Sequence, residues 1–208
     1  MGSEDTGGDS ASKLEAACRE ARHTMDQQID KIHREDQKAV GIFRVNLLVL
    51  GILSSALSLS TNTNAISTSS FLNAHTAIGV LALLGSSVVA AMAYTSSKFE
   101  MGIDPSRVES AANGEWSRKD FFEKLNEEYS GWVNHNNSVH EFNAQAITWA
   151  MAFAICGVIL FSGGVLVGAL QVRGQGLSYA MLIGELAVSL VLGLLVFYSD
   201  SIFERLEP

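Results

Sequence analysis

Proline is nearly absent: the 208 residues hold two, Pro105 and Pro208. No proline or turn cluster lies between Ser12 and Leu59, which excludes an early break in any helix there. Cysteine is equally scarce. Cys18 falls in a polar helical stretch and Cys156 inside an apolar run, so the two are not placed to meet as a disulfide within one chain, and neither supports a metal site. No nucleophile elbow, Walker loop, HExxH, CxxC or dinucleotide glycine pattern occurs, and no enzyme or cofactor is expected. The start, Met1 to Ser12, has no basic segment followed by an apolar one, so no cleavable signal peptide is expected. Basic residues are outnumbered 14 to 22, and the net charge of -8 argues against a nucleic-acid surface. An acid-rich exterior of this kind suits a salt-loving organism.

What the chain does contain is long uncharged apolar runs. Ala144 to Val196 holds two, joined only by Gln171-Val172-Arg173-Gly174-Gln175-Gly176. Each is long enough to cross a bilayer, whose hydrocarbon core of about 30 Å takes roughly 20 helical residues. A loop that short forces an antiparallel hairpin. The same arrangement occurs between about Val40 and Tyr94. The expected fold is therefore all-α, an integral membrane protein with four transmembrane helices in two hairpins, each preceded by a cytoplasmic helix continuous with its first span.

In chain order, this gives a disordered N-terminus (1–12), a cytoplasmic helix (13–39) and a first hairpin (40–96). A cytoplasmic helical segment (97–143), a second hairpin (144–198) and a cytoplasmic tail (199–208) follow. Ser12-Lys13-Leu14-Glu15 has the form of a capping box, and Leu14, Cys18, Ala21, Met25, Ile29 and Ile32 make an apolar seam behind it. That seam packs on its own chain or joins subunits. The second span is expected from about Phe71, with Ala82, Ser86 and Ala90 as a small-residue stripe. Asp104-Pro105 reads as a helix start and Asn113-Gly114 as a stop. Ser117-Arg118-Lys119-Asp120 opens another helix, followed by the seam Phe122, Leu125, Tyr129, Trp132, Asn136 and Val139. Asn136 either is solvated near the membrane surface, the favoured reading, or lies buried in this seam and fixes its register. Gly164 and Gly168 form a GxxxG pair in the third span.

Of the 14 lysines and arginines only Arg173 lies in a loop on the far side. The positive-inside rule then puts both termini and 97–143 in the cytoplasm of a cell-membrane protein. Trp132, Trp149, Tyr94, Tyr179 and Tyr198 sit near span ends, where amphipathic rings favour the headgroup layer. Four intramembrane polar residues stand out. Arg44 is shallow and reaches headgroups or Asp200. Asn46 is deeper and suits a bond to a neighbouring helix. Glu185 lies roughly two turns into the fourth span, about 10 Å from its external end, where a carboxylate needs a proton, a partner or water. His75 lies near the same end of the second span and is the candidate partner. His135 and His140, five apart, are off the spacing that would put both imidazoles on one helical face, so no metal pair is expected.

The junction Asp36-Gln37-Lys38-Ala39, at the base of a helix entering the membrane, resembles that of Pycsar-type and SMODS-associated transmembrane effectors. The four-span layout also looks like that of haloarchaeal membrane proteins. The effector resemblance implies an oligomer that perturbs the membrane on a nucleotide signal; no separate nucleotide-sensing domain is recognisable here. The expected function is an oligomeric pore-forming or membrane-perturbing effector controlled by its cytoplasmic helices. Candidate pore residues are Glu185, His75, Asn46 and Arg44; candidate assembly residues are Phe122, Leu125, Tyr129, Trp132, Gly164 and Gly168. The alternative is a non-conducting scaffold that docks a soluble cytoplasmic protein. Expected partners are the lipid bilayer and further copies of the chain, not nucleic acid.

Overall fold

The computed structural model describes residues 5–63, 68–96, 104–114, 116–172 and 174–199, and among these it is all-helical. The elements are α1 (Asp5–Thr63), a 3-10 turn (Thr68–Ser70), α2 (Ala74–Thr95), α3 (Pro105–Ala112), α4 (Arg118–Ala169) and α5 (Gln175–Phe197). Four of the helices, α1, α2, α4 and α5, are long and apolar enough to cross a membrane. Both α1 and α4 run without a break from a charged half into an apolar half.

α1 begins at Asp5, ahead of the Ser12 capping box. A capping box is a local preference of about 1 kcal/mol, and a proline-free chain can extend an existing helix past it at little cost. The other local signals act where they stand. Asp104 caps α3 through the Ser106 amide, with Pro105 at the first helical position, and that bond holds the Asp104 carboxyl below its ordinary range. Gly114 takes a φ of +74 just beyond the Asn113 cap. Ser117 Oγ accepts from the Asp120 amide (3.2 Å) and lies 2.7 Å from the Asp120 carboxylate, closing the box that starts α4.

Two compact units divide the chain, Met1–Glu35 with Ser96–Asn143, and Asp36–Thr95 with Ala144–Pro208. In the first, the polar half of α1 packs on the polar half of α4. Cys18, Met25 and Ile32, seven residues apart, are buried, as is Leu125 opposite. Side chains cross between the helices at intervals: Asn126 donates to the Leu14 carbonyl (3.0 Å), Gln28 to the Val133 carbonyl (3.2 Å), and Arg118 pairs with Glu15. Asn136 is fully buried in this seam rather than solvated, because α1 of the same chain covers it. Burial and the Glu15 charge push the Cys18 thiol up, and its S–H points at the Phe122 carbonyl (3.7 Å). Cys18 is therefore expected to react with iodoacetamide at neutral pH far more slowly than the same thiol in urea, since the thiolate is the nucleophile. Equal rates in the folded and unfolded chain would disprove that packing.

The second unit is held by small residues. Ala39, Ala93, Ala146 and Ile147 form its core, with Ile42, Val89 and Met151 packed against them. α2 and α4 meet at Gly79 and Gly157: a Cβ on Gly79 would lie 2.6 Å from the Phe161 nitrogen. Close backbone approach of this kind replaces water exclusion as the source of helix association in lipid. The outward faces are apolar, with Leu48, Ile52, Leu81, Ile183 and Leu190 all more than 60% exposed. α5 is the least covered of the four long helices; Ser189 is its one buried residue among those described. An apolar groove of about 620 Å³, lined by Trp149, Phe153, Leu186 and Leu190, runs between α4 and α5.

Candidate functional site

Asn73 sets the start of α2 three residues beyond the expected Phe71. Its side-chain oxygen accepts from the Thr76 amide (3.0 Å), and its amide group donates to the Gly164 carbonyl on α4 (2.8 Å). That clamp turns the first turn of α2 inward, and His75 is left 1% exposed. On α5, Ser178 and Glu185 are seven residues apart, two turns along one face. Both reach His75. Its Nδ1 lies 2.7 Å from Glu185 Oε2 and its Nε2 lies 3.2 Å from Ser178 Oγ. With the proton on Nδ1, the imidazole donates to the carboxylate and accepts the serine hydroxyl; the tautomer follows from the partners.

Gly163 on α4 completes the site, because a Cβ there would overlap the Glu185 carboxylate. Any side chain at 163 would push Glu185 off His75. Ser178 also lines a cavity of about 520 Å³, together with Ser70, Asn73, Gln171, Gln175 and Tyr179. The site thus has a wall of three helices and a polar mouth.

No protein family, curated protein or solved structure matches this chain.

The structure brings His75 and Glu185 together and leaves the other two polar candidates elsewhere. Asn46 is fully buried and donates to Ser86 Oγ (2.8 Å) and Ser87 Oγ (3.2 Å), while Ser86 Oγ donates to the Ala150 carbonyl (2.7 Å). This is a second polar node, eleven residues further along α2, about 16 Å by helical rise. Arg44 is exposed, and Asp200, its proposed partner, lies outside the described residues.

Several of the assembly candidates make contacts within the chain. Leu125 is buried under α1, and Tyr129 packs edge-on against Trp132 at 5.3 Å. Gly164 is covered by Thr76, and Gly168 by Ser70 and Phe71. α1 of the same chain thus covers Leu125, while Phe122, Tyr129 and Trp132 are half-buried. His140 Nδ1 approaches Glu35 Oε1 at 2.5 Å, and His135 is exposed. Among the described residues no group of three or more His, Cys, Asp or Glu side chains is placed to hold a metal ion.

Ser178, Gly163 and Asn73 were not singled out from the sequence. The spacing Asn73-Ala74-His75-Thr76 carried a cap signal for the last of them. Ser178 in the first turn of a helix carries no signal beyond capping, and its partner is 103 positions away.

Proposed function

We propose that this is a four-span membrane protein with both termini and 97–143 in the cytoplasm, whose His75–Glu185 pair is a proton-exchanging site of a membrane pore or membrane-perturbing effector. One observation carries the reading: a carboxylate inside an apolar helix meets a buried imidazole at 2.7 Å, and that imidazole touches a serine at the wall of a polar cavity. A charged side chain at mid-membrane depth costs on the order of 2.5–3.5 kcal/mol on the lenient insertion scale, so intramembrane ionisable residues mark ion or proton sites by default. The bias of basic residues supports the orientation. The resemblance at Asp36-Gln37-Lys38-Ala39 supports the effector reading.

Proton entry into dye-loaded liposomes containing the purified chain tests this. Wild type is expected to leak, and Glu185→Gln, which keeps shape and loses charge, is expected to fall to the level of protein-free vesicles. Equal flux from both would remove Glu185 from the pathway. Orientation is tested apart from flux: a cysteine replacing Gln175 is expected to react with an impermeant reagent added outside intact cells, and one replacing Gly114 is not. The reverse pattern would invert the topology.

The scaffold reading has its own support. The seams of α1 and α4 mate within one chain, so the charged outer faces are left for a soluble cytoplasmic partner. Liposomes that stay tight at every protein concentration would favour it.

A further inference from the structure

Ser178, His75 and Glu185 are linked in the order and through the atoms that activate a serine nucleophile. The hydroxyl meets Nε2 at 3.2 Å, and the carboxylate meets Nδ1 at 2.7 Å. Such a triad is recognised by geometry and roles, not by sequence position or fold. A base held by a third group beside a hydroxyl is the general signature of nucleophilic catalysis.

Three further observations complete the arrangement. The carboxylate sits in the notch that Gly163 leaves open, and the imidazole is 1% exposed. Ser178 faces the cavity of about 520 Å³, the one member of the three on its wall. α5 starts at a glycine cap with no side-chain hydrogen bond, so the amides of Gln175, Gly176 and Leu177 carry no capping side chain in the turn that bears Ser178. Such amides and the positive end of the helix dipole are the groups that would stabilise negative charge developing on a carbonyl oxygen during attack.

We propose that Ser178 is the nucleophile of a membrane-embedded ester hydrolase acting on carboxylic esters that enter through this cavity. Ser178 Oγ bonds to the ester carbonyl carbon while His75 Nε2 takes its proton. The carbon–oxygen bond to the alcohol then breaks, and His75 returns the proton to the leaving oxygen. Water, deprotonated by His75, attacks the acyl-serine; the carboxylic acid leaves and Ser178 regains its proton. Glu185 is a positioning residue that holds the tautomer. The proposal rests on the site being reached from the loop-side cavity, and not on conduction.

The test uses the full chain in detergent micelles, a fluorophosphonate probe and p-nitrophenyl butyrate. Wild type is expected to carry the adduct on the peptide containing Ser178 and to hydrolyse the ester. Ser178→Ala loses both, and His75→Gln slows labelling by about 10²- to 10⁴-fold, the usual contribution of a general base. Glu185→Gln lowers kcat with KM unchanged, which a packing role would not do. Absence of an adduct on Ser178 in the folded wild type overturns the proposal without recourse to any variant, as does equal labelling of wild type and a folded His75→Gln. Labelled protein in tight liposomes would sink the pore and keep the hydrolase; proton flux without labelling would do the opposite.

Discussion

Gly79→Val is expected to stop the second unit from forming, whereas Gly85→Ala on the same helix is expected to stabilise it by about 0.5–1 kcal/mol. The two glycines differ in what surrounds them. A Cβ on Gly79 would sit 2.6 Å from the Phe161 nitrogen, and 3.0 Å from both the Gly157 oxygen and the Phe161 Cα. All three are main-chain atoms, so relief requires α2 and α4 to separate. Overpacking against movable side chains already costs about 1–3 kcal/mol. Two more methyl groups against a backbone exceed that, and separation would also strip the Asn73 clamp from Gly164. At Gly85 nothing lies within 4 Å, so alanine adds only helix propensity. Thermal unfolding in detergent, followed by circular dichroism, reads both. A cooperative transition at the wild-type midpoint for Gly79→Val would mean that the helices do not cross there.

The second large effect is at the polar site. His75→Leu is expected to destabilise the chain by about 3–5 kcal/mol, because it leaves the Glu185 carboxylate in an apolar interior without its partner. His75→Leu combined with Glu185→Met is expected to recover most of that loss, since two apolar side chains of similar length remove the unpaired charge. Glu185→Met alone falls between them, as the imidazole keeps its bond to Ser178. Unfolding midpoints of the four chains form a double-mutant cycle. Additive losses would show that His75 and Glu185 do not interact, and would undercut the conduction and hydrolysis readings together.

Local chemistry was the most legible part of the fold. The caps at Asp104, Asn113 and Ser117 are decided by residues within one turn of each other, and they sit where the sequence put them. The start of α1 was misread because a capping box competes with helix extension, and extension wins by seven residues. Asn136, for which burial was the less favoured of two readings, was hard to place for a different reason. Its burial is set by α1, more than a hundred positions away in sequence, and a seam read from one helix does not say what covers it. The same limit hid the fate of Gly164 and Gly168, which are spent on contacts within the chain. His75 and Glu185 were legible because a carboxylate deep in an apolar helix needs a partner, and few were on offer. Ser178 was not, since a serine at a helix start has an ordinary explanation.

α5 touches the rest of its unit at few places, the His75 site and the edge-on Trp149–Phe197 contact at 4.6 Å among them. Seen in the order of synthesis, this has a meaning of its own. His75 leaves the ribosome 110 residues before Glu185, and until α5 arrives its imidazole has neither the Glu185 carboxylate nor the Ser178 hydroxyl. The first three apolar helices can settle on one another through Gly79, Gly157 and Asn46 while that position stays open. The arrival of α5 then closes it, so the imidazole, the carboxylate and the serine meet only after α5 has been made and packed.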